Sequence, residues 1–567
     1  MRNIKYLICL YLVCLSLNVY AQLSTNEKPV SFSMKIDLSG GKRSPVQSVT
    51  TPVLDMEKIE AEDKEDEDYD MPPRFGYPHK VNYDLNNSGT WYTLPNGDKL
   101  WQLNVICPNA LSVNFCYDKF WLPEGGKLFV YSKDKQYSIG AFTSRNNKGT
   151  REHLRGFATG LVYSDNVMLE YYQPKDSEYD AIISIDFIVH GYRYINYGDK
   201  SFGDAGSCQV NVNCEEGQDW QKEKKAVARI IIEGSYYCTG SLVISTNLNR
   251  EPFVLTANHC IRYLNKDAIN NPHLDYTFFY WNYEAPGCAN ISVEPSYYTT
   301  QGATAIANNF TSDFALLQLT EDPKELSNFT PYYLGWDRSG QSGLPGVGIH
   351  HPRGDVKKIS TVLAQPESSY WPYPPIVADS HWKVSWKATQ NGHGTTEPGS
   401  SGSPLFSANH KVIGQLHGGN SSGCTYLNGN SWYGKFDVSW TGNGNDTIQR
   451  RLNYWLDHQG TWGQVLDGLL VIPSSTTINT NQQLSDNICI PNNVQVTIQS
   501  NVVQNSNCRI IVESGGILLI DGGVLNADVV LKSGATLRII NDGTVETHNA
   551  FEAQLGSIVD IVYGKII

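Results

Sequence analysis

Three short segments, far apart along the chain, carry the side chains of a single reaction, and any fold the chain adopts has to bring them together. They are Leu255-Thr256-Ala257-Asn258-His259-Cys260, Ser312-Asp313-Phe314-Ala315-Leu316-Leu317 and Glu397-Pro398-Gly399-Ser400-Ser401-Gly402-Ser403-Pro404. A serine hydroxyl is a poor nucleophile at neutral pH and needs a neighbouring imidazole to take its proton. The imidazole needs a buried carboxylate to fix its tautomer and steady the cation that forms. His259, Asp313 and Ser401 supply base, orienting acid and nucleophile in that order. Glycines around Ser401 let the backbone turn tightly, so the amides of Gly399 and Ser401 can aim at the spot where an oxyanion develops.

Each segment alone has a blander reading. A Gly-Ser-Ser-Gly is usually a loop, and an Asp before an apolar run is usually a turn or a cap. A His beside a Cys suggests a metal, but no Cys-x-x-Cys or His-x-x-x-His accompanies His259, so neither metal nor cofactor is expected. Coincidence would have to supply three contexts in one order. A triad in the order His, Asp, Ser also disfavours an α/β-hydrolase esterase, where the order is Ser, Asp, His.

Further marks sharpen the pattern. They are Cys238-Thr239-Gly240-Ser241-Leu242-Val243, Trp281-Asn282-Tyr283, Gly335-Trp336-Asp337-Arg338, Ile349-His350-His351-Pro352, Gly414-Gln415-Leu416-His417-Gly418-Gly419 and Ser439-Trp440-Thr441-Gly442. With these, the stretch from about Ser207 to Val465 resembles the lysyl endopeptidase branch of the chymotrypsin-like serine proteases, found among secreted bacterial enzymes. The resemblance implies two β-barrels with the active site between them, and a serine endopeptidase acting on proteins or peptides through an acyl-enzyme. It also implies the disulfides Cys208–Cys424, Cys214–Cys288 and Cys238–Cys260. The remaining alternative is a surface binding protein whose protease fold no longer cuts.

At 567 residues the chain is too long for one core. A net charge of −13 argues against a nucleic-acid surface. Arg2 and Lys5, the apolar run Tyr6 to Leu17 and Val19-Tyr20-Ala21 read as a secretory signal over 1–21, too short to span a bilayer. Residues 22–73 lack hydrophobic periodicity and carry the acidic run 57–68, read as a solvated flexible arm. Residues 74–200 alternate short β runs with turn residues, as a β-sandwich does. They resemble the pro-region of the same protease branch, closing on His190-Gly191-Tyr192-Arg193, with a carbohydrate-binding sandwich as the rival reading. Residues 201–465 are the protease unit, ending in a helix expected across Ile448, Leu452, Trp455 and Leu456.

From 466 to 567 a weak repeat of about twenty residues suits a small β-solenoid or other β-rich domain. Its copies are Ser514-Gly515-Gly516-Ile517-Leu518, Ser533-Gly534-Ala535-Thr536-Leu537 and Leu555-Gly556-Ser557-Ile558-Val559. It offers no catalytic group and is expected to contact the cell surface, the secretion machinery or the substrate. The whole is therefore all-β: sandwich, double barrel, solenoid. Export leaves ten cysteines, an even number in an oxidising compartment.

Lysine selectivity requires an acid at the base of the primary pocket. In the family pattern that acid lies three residues before the Gly of a Tyr-Gly-basic segment; here Asn430-Ser431-Trp432-Tyr433-Gly434-Lys435 puts Ser431 there. Asp437 lies beyond the pocket on that register. Glu397 reads either as a loop brace or as a second pocket acid. His417 and Gly418 are expected to line the cleft, with His417 stacked on an aromatic such as Trp371. His350-His351 reads as structural. A short polar linker, 197–206, reads as a cleavable junction.

Overall fold

The computed structural model describes residues 27–33, 45–68, 71–193, 205–261, 267–269, 271–420, 423–460, 463–504 and 508–567. The expected signal segment and the linker up to residue 204 lie outside the described residues. Strands dominate the rest; apart from Met56–Asp68, the helices among the described residues are short.

Two closed sheets form the centre. In the first, Val227–Ile232 pairs with Tyr236–Leu242 and with Phe278–Trp281. Tyr236–Leu242 passes to Phe253–Ala257, which pairs with Phe314–Leu319. Tyr298–Gln301 then pairs with Phe278–Trp281, and Ala303–Asn309 with Phe314–Leu319. Only Gly302, at φ +83°, separates those last two segments. They are one bent strand, and the bend closes the sheet into a barrel. The second sheet runs Lys358–Thr361, Pro345–His350, Pro404–Ser407, Val412–Gly419, Asn430–Lys435, His381–Ser385. It closes where Val362 bridges Trp386. One apolar core, including Trp281, Leu316, Trp336, Ile349 and Phe406, runs through both. This is the chymotrypsin-like double barrel.

Residue 74 is not where the N-terminal sandwich begins. Ser48–Thr50 pairs parallel with Lys99–Ile106 in one sheet, opposite a sheet of Gly76–Asp84, Ile182–Gly191, Ser112–Trp121 and Arg155–Ala158. Nor is the acidic run a solvated arm. Met56–Asp68 is a helix with Ile59 and Asp63 buried. Asp63 accepts from Arg74 Nε and Tyr192 Oη, both at 2.9 Å, and pairs with Arg193 at 2.7 Å. Partners from two other segments neutralise one member of the run, which local charge density cannot reveal.

The expected C-terminal helix of the protease unit is broken into Ile448–Arg450 and Asn453–Leu456, with Arg451 extended at φ −148°. Asn309 Nδ2 donates to Arg450 O at 3.0 Å and draws that carbonyl away from a continuing helix. Leu452 and Leu456 still reach the core.

The C-terminal region is a β-solenoid. Its three sequence copies stack in register, Ile517 on Thr536 on Ile558. The solenoid merges with the barrels: Tyr332–Tyr333 pairs antiparallel with Leu469 and Leu470, and Cys489 and Ile511 belong to the barrel core.

Six cysteines pair as Cys208–Cys424, Cys214–Cys288 and Cys238–Cys260. Cys107, Cys116, Cys489 and Cys508 stay as buried thiols, so an even count did not mean that all were bridged.

Candidate active site

Strand register brings His259 to Asp313. His259 lies in the turn Asn258–Ile261 directly after Phe253–Ala257, Asp313 directly before Phe314–Leu319, and Ala257 faces Phe314. Asp313 Oδ1 accepts the His259 amide at 2.9 Å, and Oδ2 accepts Nδ1–H at 2.6 Å. Both residues are buried, at 2% and 3% exposure. Asp313 adopts φ +54°, a conformation Asp tolerates better than most side chains, and its carbonyl accepts the Asn258 amide at 2.7 Å. The carboxylate is thus held from both ends.

Ser401 comes from the second barrel, in the turn before Pro404–Ser407. Its carbonyl accepts the Thr239 amide at 2.8 Å, and Cys260 Sγ lies 3.8 Å from the same oxygen. Thr239 Oγ1 donates to Gly399 O at 2.9 Å. The turn is therefore anchored to the first barrel and to the disulfide beside His259. Gly402 has φ +82°, and a Cβ there would lie 2.2 Å from Thr256 Oγ1, so only glycine fits. Among the described residues neither the Gly399 nor the Ser401 amide has an acceptor within the chain. Two donors are left to a third party.

His350 braces this turn. Its Nδ1 lies 2.8 Å from Ser400 Oγ and its Nε2 2.9 Å from Ser360 Oγ, and burial pushes its imidazole down to about 3. Glu397 is engaged likewise: Oε2 accepts from the Gly206 amide at 2.9 Å and Gln209 Nε2 at 3.0 Å, and Oε1 from Arg353 Nε at 3.1 Å. Two of these contacts tie Glu397 to the segment beside Cys208–Cys424 and the third to the Pro352–Gly354 turn.

On the other side of the site His417 stacks on Trp371 with centroids 3.8 Å apart and faces the His259 ring at 5.7 Å. Its Nε2 is 3.7 Å from Asp313 Oδ2. A Cβ on Gly418 would come within 2.7 Å of the Trp371 ring, so glycine is what lets the indole lie there. Ser431 is fully buried; its Oγ accepts Trp386 Nε1–H at 3.0 Å and shares a hydrogen bond with Thr396 Oγ1 at 2.7 Å. Asp437 sits past that strand, in Phe436–Thr441. Sequence reasoning missed His381, whose Nε2 meets His417 Nδ1 at 3.0 Å, and Thr239 and Thr396. A lone histidine and two threonines on strands carry no local signal.

Fold and site together define the class of two-barrel proteins with a buried His-Asp pair beside a serine turn: Cys260 Sγ lies 3.9 Å from His259 Nε2 and 3.8 Å from Ser401 O, and among the described residues no hydrogen bond joins His259 to the Ser401 hydroxyl. Residues 202–434 match the family model described as Lysyl endopeptidase, C-terminal domain. The lysyl endopeptidase of Pseudomonas aeruginosa is 28% identical over 287 residues, 48% of this chain and 53% of the relative. The chain thus spans about half the length of that relative. Among solved structures, a Glu endopeptidase in complex with MPD is 17% identical with a TM-score of 0.24, covering 41% of this chain and 92% of its own. An inactive form of Rv3671c from M. tuberculosis is 13% identical with a TM-score of 0.24, covering 38% and 82%.

Proposed function

We propose that the chain is an exported serine endopeptidase made as a precursor. Ser401 attacks the scissile carbonyl, His259 takes its proton and later returns it to the leaving amine, and Asp313 holds the imidazole. The Gly399 and Ser401 amides receive the oxyanion. The observation that carries this reading is the Asp313 carboxylate gripping both the Nδ1–H and the amide of His259 beside a turn with two unengaged amides. Replacing Ser401 by Ala tests it: a folded protein should lose peptidase activity by roughly 10⁴-fold or more. Near-normal turnover in that variant rejects the mechanism.

In this reading Lys is not strongly preferred at P1 over Arg or uncharged residues. Ser431 can hydrogen-bond an ammonium but cannot neutralise it, and its hydroxyl already serves Trp386 and Thr396. A buried cation without a counter-charge costs several kcal/mol.

The precursor reading draws support from how the N-terminal module sits. The Tyr237 amide donates to Pro73 O at 3.2 Å and the Phe75 amide to Ser235 O at 2.9 Å, so 73–75 lies along the edge of the hairpin that leads into Tyr236–Leu242. The Tyr237 ring packs over Gly399. The module is thus docked on the hairpin whose Tyr237 lies beside the serine turn; in this reading it either inhibits by covering the cleft or assists folding, and a cut in the linker 197–206 frees the enzyme. The solenoid's part is contact with the cell surface or secretion machinery; among the described residues no helix is long and apolar enough to cross a membrane.

A further inference from the structure

A run of hydrogen bonds beyond Asp313 fixes where protons sit, and counting them assigns a role to His381. Ser380 Oγ has one hydrogen, and it goes to Val377 O at 2.7 Å. The contact of 2.7 Å between Ser380 Oγ and His381 Nδ1 must therefore be Nδ1–H donating to the hydroxyl. Burial pushes the His381 imidazole down to about 3, so the ring is neutral and its Nε2 is an acceptor. His417 Nδ1, 3.0 Å away, then has to carry a hydrogen. With its hydrogen at Nδ1, a neutral His417 turns a lone pair on Nε2 towards Asp313 Oδ2 at 3.7 Å.

We propose that His381 is a positioning residue that locks neutral His417 in its Nδ1–H tautomer, so that Asp313 serves His259 alone. This rests on the protease reading above. The consequence is a difference between two protonation states of His417. While neutral, it offers Asp313 no donor, and the full charge of the carboxylate supports the imidazolium that His259 becomes. A second proton can enter His417 only at Nε2, where the cation and its new N–H compete with His259 for the same carboxylate oxygen. The three groups are close enough for this, since a ring nitrogen of His259, a carboxylate oxygen of Asp313 and a ring nitrogen of His417 all lie within 4.8 Å of one another. Asp313 and Lys435 act on His381 electrostatically, His259 and Asp313 face His417, and the Trp371 ring stacks on His417. Without His381, neutral His417 is free to move its hydrogen to Nε2 and divert Asp313 at every pH.

The test is tautomer assignment by long-range ¹⁵N–¹H NMR on histidine-labelled full-length chain carrying Ser401→Ala, with His417 identified by its absence in His417→Gln. Neutral His417 should show a protonated Nδ1 and a bare Nε2. His381→Leu should raise the Nε2–H population, and His381→Gln, whose amide oxygen can still accept, should restore Nδ1–H. In otherwise wild-type enzyme His381→Leu should lower kcat/KM on the order of tenfold, as one weakened charge-assisted hydrogen bond would, and move the acid limb of its pH profile. His381→Gln should recover both. Neutral His417 found as Nε2–H in the parent overturns the proposal even if no His381 variant folds. A tautomer unchanged by His381→Leu overturns it as well. Loss of the protease reading would show instead as a Ser401-independent activity or none, with the tautomer result intact.

Discussion

The two barrels contribute to the site by different physics. The first supplies charge: His259 and Asp313 are buried and bonded to each other, with the His417 ring stacked 5.7 Å from that of His259. The second supplies backbone shape: the Ser401 turn owes its form to Gly399 at φ +92° and Gly402 at φ +82°, and to hydrogen bonds from Thr239 and His350. Residue type therefore matters most on one side, and freedom from a Cβ on the other. A substitution on the charge side should leave the fold and remove chemistry. One on the shape side should cost stability first.

The largest effect expected comes from the charge side. His259→Ala and Asp313→Asn should each lower kcat/KM by roughly 10⁴-fold with circular dichroism and melting temperature close to the parent's. A matching collapse of the fold would erase the contrast between the barrels. On the shape side, Gly402→Ala should destabilise by roughly 2–3 kcal/mol, through positive φ and the clash with Thr256 and Thr239. Denaturant titration reads this directly, and an unchanged midpoint would mean the turn is looser than described.

Activation probes the same turn from outside. Many chymotrypsin-like zymogens shape this turn when a freed amine pairs with an Asp before the nucleophile; here that residue is Ser400, held by His350. Cleaving between 193 and 205 should raise activity on peptides, and adding one residue at the new N-terminus should then change it little. A large loss on that addition would show that a buried amine forms the turn after all. The smallest effect concerns selectivity: Ser431→Asp should shift P1 preference towards Lys, read from a peptide-library profile, with overall turnover less affected.

Much of this was legible in the sequence because the residues act through local context. His259 before Cys260, Asp313 before an apolar strand and Ser401 among glycines each carry their surroundings with them. The repeats at Ile517, Thr536 and Ile558 announce a solenoid because each rung is one short copy. What stayed hidden depends on partners distant in the chain. Nothing near Asp63 foretells Arg74, Tyr192 and Arg193 closing on it, so the acidic run reads as solvated although it is a docked helix. Nothing local to Tyr332–Tyr333 signals that Leu469 and Leu470, well over a hundred residues on, pair with it. His381 is silent for the same reason, since its role exists only through His417 and Asp313.

The central claim is that Ser401 is a nucleophile activated by His259. Treating the enzyme, cut between 193 and 205, with a sulfonyl fluoride or an organophosphate and mapping the adduct by peptide mass spectrometry tests it most directly. The account predicts stoichiometric modification of Ser401, abolished by His259→Ala while the fold persists. Failure to label, or labelling that survives loss of His259, would contradict it and leave a protease fold that binds without cutting.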